Sequence, residues 1–268
     1  MRNSLALVVL LWGAASSAAA PSLPPRAPVK LWRLDCGAFP SEEKRTLPWR
    51  KRDMPVSCYL VRHGTDYLLW DTGLSAKAIG AANPRLRLSR TIVDQLHQIG
   101  LEPGAIRFVA VSHYHGDHSG QASAFPGAEL LIGREDWQAL HETPPPDGSA
   151  PSHFAPWADG KRVRQLRDDL DLFGDGSVVL LRTPGHTPGH LALIVRLRSR
   201  TVLLSGDLIG TNEDAVRGEM PHFNTSRAET EASRERFRRI AAREDALIIL
   251  GHEADDAAKL PPFPEGAE

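Results

Sequence analysis

The chain has 268 residues, enough for one substantial core, and its 41% hydrophobic and 24% charged residues are ordinary for a globular protein. A formal net charge of −1 excludes an electrostatic case for nucleic acid or an anionic membrane. Basic residues such as Arg234, Arg236, Arg238 and Arg239 alternate with Glu231 and Glu235, as on a solvated helix face.

The first twenty residues differ from the rest. Arg2 precedes an apolar run from Leu5 to Trp12, and small residues end in Ala18-Ala19-Ala20. That order predicts a secretory signal cleaved after Ala19, and with it a periplasmic or secreted protein. The run is shorter than the roughly 20 apolar residues a membrane helix needs, and no later segment spans. Residues 21–30 are Pro-rich and read as a linker. Lys30–Asp35 and Val56–Val61 read as strands, with a Pro-containing loop over 39–55 between them. Cys36 and Cys58 fall on these two strands and could pair in an oxidising compartment if the strands are neighbours.

Tyr67–Trp70 is the next strand, after a hairpin break at His63–Asp66, and Asp71-Thr72-Gly73 closes it with a turn. Thr91–Ile99 has helical spacing closed by Gly100. Ile106–Val111 predicts a buried strand, Leu130–Ile132 another, and Arg134–Leu140 a helix. Residues 142–160, with Pro144-Pro145-Pro146, form a long irregular insertion of the kind that tends to be functional. Trp49, Met54, Phe154 and Trp157 lie on loops, where they could line a pocket or anchor the loop in the core. Val178–Leu181, Leu191–Val195, Thr201–Leu204 and Ala246–Leu250 complete the strands. Ser226–Arg243 predicts a surface helix. Strands in groups with helices between them indicate a mixed α/β fold.

The chemistry is concentrated in Ser112-His113-Tyr114-His115-Gly116-Asp117-His118. His113 and His115 alternate and can face one way on an extended backbone. Asp117 and His118 can point to opposite sides of a bend that Gly116 permits. Such a loop can offer one pair of ligands to one ion and the next pair to a second. Imidazole and carboxylate suit zinc, and also iron, manganese or nickel. His186 in a Thr-Pro-Gly-His-Thr-Pro-Gly-His run, Asp207 after Ser205-Gly206, and His252 after Leu250-Gly251 each sit at a strand end.

These motifs resemble the metallo-β-lactamase superfamily over roughly residues 56 to 253, and most closely its N-acyl-homoserine lactonases. The resemblance implies an αββα sandwich over residues 31–268, two face-to-face mixed sheets with helices outside. It implies two divalent metal ions, zinc by preference. His113, His115 and His186 would hold the first, Asp117, His118 and His252 the second, and Asp207 would bridge them. Asp71 would brace a ligand by accepting a hydrogen bond from an imidazole. Two such ions activate a shared water near neutral pH, which in lactonases opens the lactone ring; β-lactam, ester and phosphoester substrates suit the same kit. Asp117 could also shuttle a proton to the leaving group. Several lactonases carry a Tyr shortly after the bridging Asp, where this chain has Leu208, Ile209 and Gly210. His222 and Tyr114 are the candidates to replace it. His190 is expected to support the His186 turn rather than to bind metal. The expected partner is a small acylated lactone or similar ester, and hydrophobic loops could support a homodimer.

Overall fold

The computed structural model describes residues 26–40, 53–78, 86–218, 220 and 223–268. The leader and its cleavage site, Trp49 and His222 lie outside them. Two sheets pack face to face. The first runs in the order β1 (Val29–Phe39), β2 (Met54–His63), β3 (Asp66–Trp70), β4 (Ile106–Ala110), β5 (Glu129–Gly133), β6 (Val163–Leu166). The second has β7 (Leu170–Asp171), β8 (Val178–Arg182), β9 (Leu191–Arg196), β10 (Thr201–Leu204) and β11 (Leu247–Ile249), ordered β11-β10-β9-β8-β7. No helix among the described residues is long and apolar enough to cross a membrane.

The strands are apolar on both faces because each sheet is covered on both sides, and the period of two divides them cleanly. Leu68, Trp70, Phe108, Ala110, Leu131, Leu193, Val195, Val202 and Leu204 point between the sheets. Their neighbours Leu69, Val109, Val111, Leu130 and Ile132 point outward, beneath α1 (Ile92–Gln98) and α3 (Arg134–Ala139). On the far side Ala192, Ile194 and Leu203 meet α5 (Arg227–Glu244), which follows the short α4 (Asn212–Arg217). This is the αββα sandwich expected.

Local expectations need four corrections. The linker ends sooner, since β1 already begins at Val29. This strand also runs four residues past Asp35, through a register shift before Ala38 where Gly37 takes φ 113°. Helix α5 is not confined to the surface: Phe237 is fully buried and Arg234 nearly so, because the second sheet's outer face needs cover. The short β6 and β7 carry too few apolar residues to be read as strands; pairing with β5 and β8 makes them so. Phe154 and Trp157 are core anchors, with Trp157 Nε1–H donating to the Ala128 carbonyl at 2.9 Å. Cys58 pairs with Leu34, two residues before Cys36, on adjacent β1 and β2, and the two cysteines form a disulfide.

Candidate metal centre

Parallel pairing fixes where the site lies. β3 and β4 run parallel, as do β10 and β11, so the loops leaving each pair emerge together at one edge of the sandwich. Asp71 follows β3, the His-rich segment follows β4, Asp207 follows β10 and His252 follows β11. The turn with His186 joins β8 to β9. A backbone hydrogen bond from Leu191 N–H to the Ser112 carbonyl, 2.7 Å, joins the two sheets beside the cluster.

All seven residues implied as ligands converge there, in two groups whose ligand atoms lie within 4.8 Å of one another: His113, His115, His186 and Asp207, and then Asp117, His118 and His252. In the first, His115 Nδ1 lies 2.8 Å from His113 Nε2 and 3.1 Å from His186 Nε2. In the second, Asp117 Oδ2 lies 3.5 Å from His118 Nε2 and 3.6 Å from His252 Nε2. Asp117 and His118 thus face one group rather than opposite sides of a bend. Gly116 has no left-handed φ and instead opens a single helical turn, α2 (Gly116–Ser119). Asp207 lies between the groups. Its Oδ1 is 3.2 Å from His118 Nε2 and 3.1 Å from His252 Nε2, and its Oδ2 is 3.4 Å from His186 Nε2 and 4.0 Å from His113 Nε2.

In the second group the other ring nitrogens are tied back. His118 Nδ1 reaches Asp71 Oδ2 at 2.9 Å, as expected of Asp71, and His252 Nδ1 donates to the Pro55 carbonyl at 3.0 Å. Both rings thereby keep Nε2 free to bind a metal ion. Asp71 also accepts the Ser112 N–H at 2.6 Å, from a left-handed backbone of φ 55° that costs an L-residue about 1 kcal/mol. Gly73 follows at φ 63°, where a Cβ would fall 2.2 Å from that of Cys36, so only glycine fits. His190 supports the His186 turn as expected, through Thr183, and has a second part besides. Its Nδ1 pairs with Thr183 Oγ1 across that turn, and its Nε2 accepts the Asp207 N–H at 3.1 Å, so it ties the Asp207 turn to the His186 turn.

Burial pushes His113 and His115 below the usual imidazole range and His186 down to about 4, so these rings are neutral with lone pairs available. Burial would also lower His118 and His252, but the carboxylates of Asp207 and Asp117 overcome it and raise both. Buried His118 Nε2, His186 Nδ1 and Asp207 Oδ1 have no aligned hydrogen-bond partner. His118 Nε2 and Asp207 Oδ1 lie 3.2 Å apart beside His252 Nε2, and orphaned imidazole and carboxylate atoms gathered in this way are what a divalent cation requires; the donor set fits one.

The insertion over 142–160 closes one side: Gly116 N–H donates to the Gly148 carbonyl, Ser149 bridges His115, and His153 Nδ1 pairs with Ser119 Oγ. Phe223 is half-exposed and edge-on to His115 and His186, with centroids 5.5 and 5.7 Å away, while Phe39 meets His252 at 6.1 Å. Leu208 and Ile209, following Asp207, are buried. Tyr114 is buried too, and burial raises its hydroxyl to about 12. Sequence reasoning missed Asp136, fully buried on α3, which bonds both His-bearing loops. In the sequence it is one more acidic residue in a helix's first turn, with no signal to single it out.

An αββα sandwich with such a cluster at the edge defines a hydrolase of the metal-dependent kind. The model of the metallo-beta-lactamase superfamily matches residues 52–252, and the chain belongs to that superfamily, whose chemistry uses divalent metal ions. It is 29% identical over 234 residues to N-acyl homoserine lactonase AttM of Rhizobium radiobacter, covering 80% of this chain and 87% of the relative. Two solved structures share the fold. One is an N-acyl homoserine lactone hydrolase with N-hexanoyl-L-homoserine bound at its catalytic metal centre (TM-score 0.74, 22% identity, 90% of this chain and 100% of that one). The other is AidC, a dizinc quorum-quenching lactonase (TM-score 0.62, 20% identity, 91% and 92%).

Proposed function

We propose that the protein is a dinuclear metal-dependent lactonase that opens the ring of N-acyl-homoserine lactones. The observation that carries the reading is Asp207, whose two carboxylate oxygens face two separate imidazole groups at 3.1–3.4 Å and out to 4.0 Å. That is the disposition of a bridging ligand. His113, His115 and His186 would then hold one ion, and Asp117, His118 and His252 the other. When bound, two zinc ions would activate water and polarise an ester carbonyl. Asp71 and the Pro55 carbonyl orient His118 and His252, and His190 orients Asp207. Water adds to the lactone carbonyl, the ring C–O bond breaks, and Asp117 carries a proton to the departing ring oxygen, giving the acyl-homoserine. Phe223 and Phe39 give the mouth apolar walls on two sides, suited to an acyl substituent.

The same reading sends the protein out of the cytoplasm through its leader. The Cys36–Cys58 disulfide supports it, since such bonds persist in oxidising compartments.

The test is proton release in a pH-stat when zinc-loaded protein meets a long-chain acyl-homoserine lactone, with Asp117→Asn as control. Release that the variant loses is the expected result. No release from a protein holding two equivalents of zinc would overturn the substrate assignment and direct the search to β-lactams and phosphoesters.

A further inference from the structure

The His186 loop and the His113–His115 loop belong to different sheets, yet their ring nitrogens meet within 3.1 Å. Something must hold two loops in that register, and the ligands themselves cannot, because neutral imidazoles offering lone pairs to one point repel. Asp136 is the one carboxylate that bonds both loops among the hydrogen bonds of the described residues. Its Oδ2 accepts the Tyr114 N–H at 3.2 Å, between the two histidines of one loop, and the Thr187 hydroxyl at 2.8 Å, next to His186 in the other. Its Oδ1 accepts the Gly189 N–H at 2.6 Å. The residue is fully buried, so no water can replace these bonds if they are lost.

The packing around it leaves the loop one seat. A Cβ on Gly133, the residue before α3, would fall 1.8 Å from the Gly189 carbonyl oxygen, so the two backbones touch. The Arg182 guanidinium donates to Glu135 at 2.7 Å and to the Pro188 carbonyl at 3.2 Å. The start of α3 thus clasps residues 187–189 while reaching the backbone between His113 and His115.

We propose that Asp136 is a positioning residue for the first metal group: it sets the spacing of His186 from His113 and His115, and so governs how tightly that group holds its ion. The inference rests on the two-ion reading of the site and adds to it a residue that touches no ion. Partners of this kind, placed behind the ligands, typically change metal affinity about 10–100-fold.

Asp136→Asn keeps shape and volume but turns one acceptor into a donor, setting N–H against the N–H of Tyr114 or of Gly189. The measurements are zinc stoichiometry by elemental analysis, a competitive chelator titration of the loaded protein, and the electronic spectrum of the cobalt-substituted form. The titration step that His113→Ala removes identifies the first group. Asp136→Asn should weaken that step about 10–100-fold, leave the other step in place and change the cobalt ligand-field bands. Both steps at wild-type affinity and an unchanged cobalt spectrum, even with a lowered Tm, would reduce Asp136 to a packing role and overturn the proposal. If Asp136→Asn does not fold, Thr187→Val removes a single one of the three bonds at constant shape. It should weaken the same step several-fold, and an unaltered step overturns the proposal equally. Wild-type protein that binds fewer than two equivalents would instead defeat the two-ion reading itself.

Discussion

The two sheets supply the metal centre in different ways. The first contributes His113, His115, Asp117 and His118 within six consecutive residues, held on one loop and one helical turn. Asp71 from the adjacent parallel strand locks that turn by bonding both Ser112 N–H and His118 Nδ1. The second contributes His186, Asp207 and His252 from three separate strand ends, 21 and 45 residues apart in sequence. Each of those needs its own support: Thr225 N–H on the His186 carbonyl, His190 on Asp207, and Pro55 of the other sheet on His252. One half is a local structure carrying ligands; the other exists only when the sandwich is closed.

The largest effect should come from the residue common to both groups. Asp207→Ala should deplete bound zinc and lower kcat/KM by more than the roughly 100-fold typical of losing a supporting residue. Retention of two equivalents by elemental analysis would remove its bridging role. Within the local half, Asp71→Asn replaces an acceptor facing His118 Nδ1 and should cost about 10–100-fold in zinc affinity, read by chelator competition. A loss confined to stability would mean that the local half needs no brace.

The dispersed half should show itself in the pH dependence of the metal-free protein. His186 is held at about 4 when folded and titrates near 6.5 when unfolded. Between those values the unfolded chain binds the extra proton, so stability falls as pH drops from about 6.5 toward 4, by roughly 3 kcal/mol for this group. His118 and His252 act the other way, their contribution being present below 6.5 and lost as pH rises. His186→Gln isolates its share: urea unfolding at pH 7 and pH 5 should show a smaller acid loss in the variant than in wild type, and equal losses would contradict the assignment. The smallest effect is expected of Tyr114→Phe. Burial holds its hydroxyl protonated at about 12, so at most about 1 kcal/mol of stability should go, with little change in kcat. A fall in kcat of two orders of magnitude would return Tyr114 to the reaction.

What was legible in the chain follows the same division. The strands that form both inner and outer cores announce themselves as apolar runs, and the His-x-His-x-Asp-His segment announces metal because its ligands need no folding to be neighbours. The bond from His190 to Asp207 and the role of Asp136 were not legible. Nothing in Thr-Pro-Gly-His says which backbone amide an imidazole will meet across 17 residues, and a buried carboxylate on α3 reads like any acidic residue of a helix's first turn. The sequence by itself determined the fold class, the ligand types and the edge chemistry, because periodicity and local clustering are one-dimensional properties. The tertiary structure alone decided the distances at which the two groups and Asp207 meet, that Gly116 opens a helical turn instead of a bend, and which side chains hold the loops in register. Those distances are between segments far apart in the chain, set by the packing of one sheet on the other.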